Sequence, residues 1–189
     1  RRFRVMSQYG KVLDPIADRL LVNSAVMMLC FYDARGFGGD GRLQHAMARA
    51  ALQFEAPLSL FGQLRPGERG LDIKRGGIFP IVHGLRCLAL KHGIAQRNSF
   101  ARCEALVQAG ALDAALGRDL DQTLAVLQRL RLDAQLAALD AGAAADNCLH
   151  PDALRRLDRE LLRDALRVVK AFQQHVRGVF RLDAGAGAP

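Results

Sequence analysis

At 189 residues, half of them hydrophobic, the chain is long enough for one ordinary domain, or one domain with part of another, and has ample apolar material for a buried core. Its 27 Lys and Arg against 19 Asp and Glu give a formal charge of +8, which favours phosphates, nucleic acid or an acidic surface as partners. The four cysteines, Cys30, Cys87, Cys103 and Cys148, form no CxxC pair, which excludes a zinc ribbon or a thioredoxin-like motif and fits reduced thiols in a cytoplasmic protein.

Richness in Ala, Leu and Arg and the absence of Trp predict a mainly α chain. Leu13 opens the first helix, with Pro15 in a first turn that needs no N–H from it. The longest uncharged apolar run, Leu20 to Tyr32, is shorter than the ~20 residues that cross a bilayer, so it reads as core and a membrane is not expected as a partner. "DARGFGGDG" then breaks the chain. Residues 42–56 read as helix and "APLSLFGQLRPGERG" as loop.

Pro80 opens a helix with Ile81, Val82, Leu85, Leu88 and Ala89 on a broad apolar face, closed by Gly93. Ser99 caps the next helix, which ends around Gly110. Asp119 to Ala141 follows, with Leu120, Leu124, Leu127 and Leu130 at helical spacing. The last helix runs from Pro151 to Arg181, and its predicted core stripe is Leu154, Leu157, Leu161, Ala165, Val168, Phe172, Val176 and Val179. The tail, 183–189, lacks anything to pack and is expected to be disordered. Helix after helix from Pro80 onward is a bundle signature.

The stretch "LDIKRGGIFPIVHGLRCLAL" gathers Lys74, Arg75, Gly76 and Gly77 ahead of the Pro80 helix. Glycines admit close approach of the backbone, a helix start attracts negative charge, and the two cations add charge-assisted bonds, so this is a candidate anion site. His83 and Arg86, three apart, share a helix face. Gln128, Arg131 and Gln135 form a polar strip among leucines on a later helix. Two readings stay open: Arg131 closes the anion corner, or it pairs with Asp72 and locks two helices. Asp146 and Asn147 read as turn and capping residues.

Two resemblances follow from longer stretches. "LDIKRGGIFPIVHGLRCLALKHGI", "LRLDAQL", "ADNCLHPDAL" and "LRRLDRELLRDALRVVKAFQQHV" resemble, in order and spacing, the helical substrate-binding domain family of nucleotidyltransferases. The resemblance implies a nucleotide or phosphorylated substrate and a role in signalling. It also implies partnership with a polymerase-beta-type catalytic domain, often with CBS or cyclic-nucleotide-binding modules, and shows no DNA specificity. "FYDARGFGGDG" resembles the end of such a catalytic domain, which implies a remnant strand near 26–35 and leaves two readings of Asp33, a remaining metal carboxylate or a strand-end cap beside Arg35; the Gly-Ser turn and the paired aspartates of that domain are not found. Mg²⁺ is therefore expected for the complete enzyme and no cofactor for this chain.

Arg1, Gly10, Asp14 and Asp18 fall on the last four fixed positions of the D-G-x2-A-R-x8-G-x3-D-x3-D motif and are similar to the CDP-alcohol phosphatidyltransferases. Asp14 and Asp18, four apart on one helix face, would be metal ligands in that family. Half of its carboxylate set leaves a metal short of ligands, so no transferase chemistry is expected of residues 1–30. The expectation is a joint near Cys30 and Phe31, a linker with a catalytic-domain remnant over 31–70, and a helical recognition domain over 71–182. The alternative functions are a regulatory helical module without a small ligand, or a phosphatidyltransferase fragment.

Overall fold

A computed structural model describes residues 41–59 and 61–182. The expected helix from Leu13, the strand near 26–35, the metal candidates Asp14, Asp18 and Asp33, and the tail all lie outside these residues. The described part is mainly α, as predicted: α1 (Gly41–Ala51), α2 (Phe79–Lys91), α3 (Ser99–Gln108), α4 (Ala114–Asp140) and α5 (Arg156–Val179). A two-residue antiparallel ribbon joins β1 (Leu71–Asp72) to β2 (Cys148–Leu149), with Leu71 opposite Leu149 and Asp72 opposite Cys148. Strands this short carry no alternation, which is why hydrophobic periodicity misses them. Among the described residues no helix is long and apolar enough to cross a membrane.

Local chemistry explains most helix boundaries. Pro80 sits in the first turn of α2, and Gly93, at φ 67°, follows its end in the left-handed conformation expected of a C-terminal glycine. The α3 cap is Asn98, one residue before the predicted Ser99: its Oδ1 accepts from the N–H groups of Phe100 at 2.8 Å and Ala101 at 3.4 Å. Helix α4 starts before the predicted Asp119, because Asp113 Oδ1 accepts from Ala115 and Leu116 N–H at 2.8 and 3.1 Å. Those bonds hold the Asp113 carboxyl below its usual range.

Immediately before α2, Lys74–Ile78 form one π-helical turn, in which Phe79 N–H reaches back to Lys74 C=O. Pro80 has no N–H to give the Gly76 carbonyl and its ring crowds that oxygen, so the turn widens by one residue. The π turn runs straight into α2, which makes the helical segment longer at its start than the predicted Pro80 opening.

The core is a continuous set of apolar side chains from every helix and the segments between them, including Ala48, Leu52, Ile73, Ile81, Leu88, Leu106, Leu124, Leu162, Leu166, Val169 and Phe172. Helices α4 and α5 form the most extensive pair. Gly84 lets α2 press onto α5: a Cβ there would stand 2.5 Å from Phe172 Cε1.

The predicted stripe on α5 is partly wrong. Leu157 and Leu161 are 66% and 44% exposed, while Leu162, Leu166 and Val169 are fully buried in their place. The helix begins at Arg156 and not at Pro151–Ala153, which form a separate 3-10 turn. Its entry angle is set by Asp158, which is buried and accepts from Arg129 Nη2 on α4 and from Arg155 Nε, both at 3.0 Å. Burial pushes the Asp158 carboxyl up, but the bonds and charges of Arg155 and Arg129 outweigh it and hold its pKa below the usual value.

Candidate functional site

The π turn marks a candidate site, because single π turns recur at functional positions. Arg75 N–H donates to Asp72 Oδ1 at 2.9 Å, and Arg75 Nε lies 3.7 Å from the other oxygen of that carboxylate. Asp72 thus supplies the negative charge that a helix start carrying two cations lacks. The Arg75 side chain remains 69% exposed, with its guanidinium 5.6 Å from the centre of the Phe54 ring. Lys74 is half-buried in the same turn.

Gly76 and Gly77 are buried, and the backbone there approaches protein groups. A Cβ at Gly76 would lie 2.7 Å from Pro57 Cδ, and one at Gly77 2.9 Å from Leu127 Cδ1. The expected close approach is real, and its partners are the 55–57 segment and α4.

One turn on, Phe79 links the site together. Its ring meets Phe54 edge-on at 5.3 Å and stacks on His83 with centroids 3.9 Å apart. Burial first, and the neighbouring Arg86 charge second, lower the His83 pKa to about 4, so its imidazole is neutral at physiological pH. Arg75, Phe79, His83 and Arg86 therefore form a row along one side of the π turn and α2, with Phe54 beside it. The sequence reading found the charged members and missed both phenylalanines. Phe79 was legible at four residues from His83 and Arg75, whereas Phe54 arrives from a different part of the chain.

Arg131 Nε donates to Asn147 Oδ1 at 2.7 Å, and Gln135 Nε2 donates to Asp146 C=O at 3.1 Å. Asn147 C=O in turn accepts from Ile73 N–H at 3.2 Å, next to Lys74. Arg131 and Gln135 are thereby brought to the same end of the domain as the π turn, through the segment leading into β2. The hydrogen-bond partner of Arg131 is Asn147 and not Asp72. Gln128 is exposed. Asp146 does act in a turn, its Oδ1 accepting from Cys148 N–H at 2.9 Å.

The thiols are poorly suited to nucleophilic work. Burial, then Asp121, pushes the Cys103 thiol up to about 12, and burial with Asp146 and Asp72 raises that of Cys148. Among the described residues no three His, Cys, Asp or Glu side chains are gathered to hold a metal ion. What these residues offer is binding chemistry: guanidinium groups, an aromatic row and a neutral imidazole.

Comparison with known proteins divides the chain in two. A family model for CDP-alcohol phosphatidyltransferase matches residues 1–41, and the two family matches meet at residue 41, downstream of the joint read near Cys30. Residues 31–41, read as a catalytic-domain remnant, fall inside that first match. The searches of curated proteins and of solved structures returned no match. The model described as "Putative nucleotidyltransferase substrate binding domain" covers residues 41–180, the stretch containing all five described helices, and the chain belongs to that family.

Proposed function

We propose that the 41–182 region is the recognition half of a nucleotidyltransferase, holding a nucleotide or other phosphorylated substrate while a separate catalytic domain supplies the metal-binding carboxylates. The observation that supports this reading is the row on α2, where Arg75 and Arg86 flank the rings of Phe54, Phe79 and His83. Guanidinium groups suit phosphate oxygens, and ring faces suit a base or another flat group. Lys74 and Arg131 add positive charge at the same end. Mg²⁺ belongs, in this reading, to the catalytic partner. A cytoplasmic setting, a signalling role and CBS or cyclic-nucleotide-binding neighbours are parts of the same proposal.

Calorimetry on the full chain with ATP, CTP, GTP and UTP, at low and high salt, tests it. Binding should be micromolar or weaker and should fade as salt rises, since the cations are partly exposed. Arg75→Ala or Arg131→Ala should each lower affinity about tenfold, the equivalent of ~1.4 kcal/mol. Saturable binding that neither substitution changes would remove the row from consideration.

A second reading has its own observation. Leu132, Leu136 and Leu139 on α4, at 55, 50 and 60% exposure, share one face at spacings of four and three. That face suits docking against a neighbouring domain, as a regulatory module without a small ligand would require. Absence of nucleotide binding together with a stable complex with the catalytic domain would favour it.

A further inference from the structure

A cleft of about 340 Å³ lies between α5 and the loop carrying Ser59, Phe61 and Gly62, within the size range of small-molecule sites. It shares no residue with the row on α2. The loop is closed on itself: Ser59 N–H donates to Gln63 C=O at 2.8 Å, Gly62 N–H to Ser59 C=O at 3.0 Å, and Gln63 N–H to Ser59 Oγ at 3.0 Å. A backbone bridge between Leu58 and Leu64 fastens its base. This fastened loop holds the Phe61 side chain 90% exposed at the cleft, a flat apolar face kept in water.

The opposite wall is polar. Arg167, Lys170 and Gln174 recur on α5 at spacings of three and four, so they line one face. Arg167 is held in place by Asp164, with Nη1 to Oδ1 at 2.8 Å, and by the open side of Gly62, where a Cβ would meet its Nε and Nη2 at 3.3 Å. The Lys170 side chain has no hydrogen bond or ion pair among the described residues. No Asp or Glu lines the cleft; of its two cations Arg167 is paired with Asp164, so Lys170 supplies the uncompensated positive charge while the remaining Arg167 N–H groups can still donate.

We infer that this cleft is a second binding site, taking a nucleoside phosphate whose base stacks on Phe61 and whose phosphate is bound by Lys170 and Arg167. An aromatic face accepts any base, the two cations accept a phosphate, and the Gln174 amide offers one donor and one acceptor to a sugar or base edge. Either element alone would serve half of the ligand. Their opposition across one small cleft selects a molecule carrying both.

The test is calorimetry on the full chain with AMP, UMP, adenosine and inorganic phosphate, and with a single-stranded oligonucleotide. AMP and UMP should bind at least tenfold more tightly than adenosine or phosphate. Phe61→Ala should abolish the advantage of AMP over phosphate, and Lys170→Gln its advantage over adenosine; both side chains point to the surface cleft, so neither change should alter the thermal midpoint. Arg75→Ala should leave this site unchanged, which separates it from the row on α2. AMP binding insensitive to Phe61→Ala and Lys170→Gln, phosphate binding as tight as AMP, or binding of the oligonucleotide alone would each overturn the assignment.

Discussion

His83 shows how one side chain can be legible and still incompletely read. Its neighbour Arg86 follows from spacing, but the ring beneath it, Phe79, and the burial that comes with stacking decide its protonation. The pKa falls from 6.5 to about 4, so as pH drops the unfolded chain takes up this proton before the folded one does. Stability is therefore lost between about pH 6.5 and 4 and changes no further on this account below the lower value. His83→Gln should flatten that part of a plot of thermal midpoint against pH, and an NMR titration of the His83 ring should show a midpoint near 4. An unchanged slope in the variant would mean that other groups carry the acid sensitivity. Gly76 and Gly77 give the complementary case: a sequence shows that close approach is allowed, and only the fold shows that Pro57 and Leu127 are what approaches.

For the helices, several ends and the buried faces of α2 and α4 were legible, whereas the starts of α4 and α5 and the face of α5 were not. Pro80, Gly93 and the α3 cap region were placed to within about a residue, because capping depends on atoms a few positions apart. The face of α5 was misjudged because Leu161 and Leu162 are adjacent and either fits an apolar period. Docking against α2 and α4 chooses Leu162, with Asp158 and Arg129 setting the approach. Leu162→Ala should destabilise the domain by about 2–5 kcal/mol, whereas Leu161→Ala should cost less than about 1 kcal/mol. Urea unfolding of both variants checks this, and equal effects would mean that the helix is rotated from the orientation described.

Across the domain, the core begins before residue 71. Ala48, Ala51, Leu52, Ala56 and Leu58 are buried in the same cluster as the later helices. Gln173, itself buried, donates to Phe54 C=O at 2.7 Å and accepts from Ala56 N–H at 3.4 Å. Removing 41–70 would uncover α5 and leave that amide without its partners, a loss that is costly for a buried polar group. A fragment of residues 41–182 should therefore melt cooperatively, and one of 71–182 should melt at a markedly lower temperature or without a cooperative transition. Circular dichroism melts of the two decide it; equal midpoints would make α1 and the loop after it an appendage.

The sequence by itself determined the helical class, most helix ends, the family of the larger part and the kinship of residues 1–30, since propensity, capping and motif spacing are local properties of the chain. Tertiary structure alone decided the β1–β2 ribbon, the buried face of α5, the pairing of Arg131 with Asn147, the meeting of Phe54 with Phe79 and the cleft that Phe61 and Lys170 both line. Each of these joins segments far apart in sequence. Their encounter depends on which helix faces exclude water together, a choice made by the whole core and by no single stretch of it.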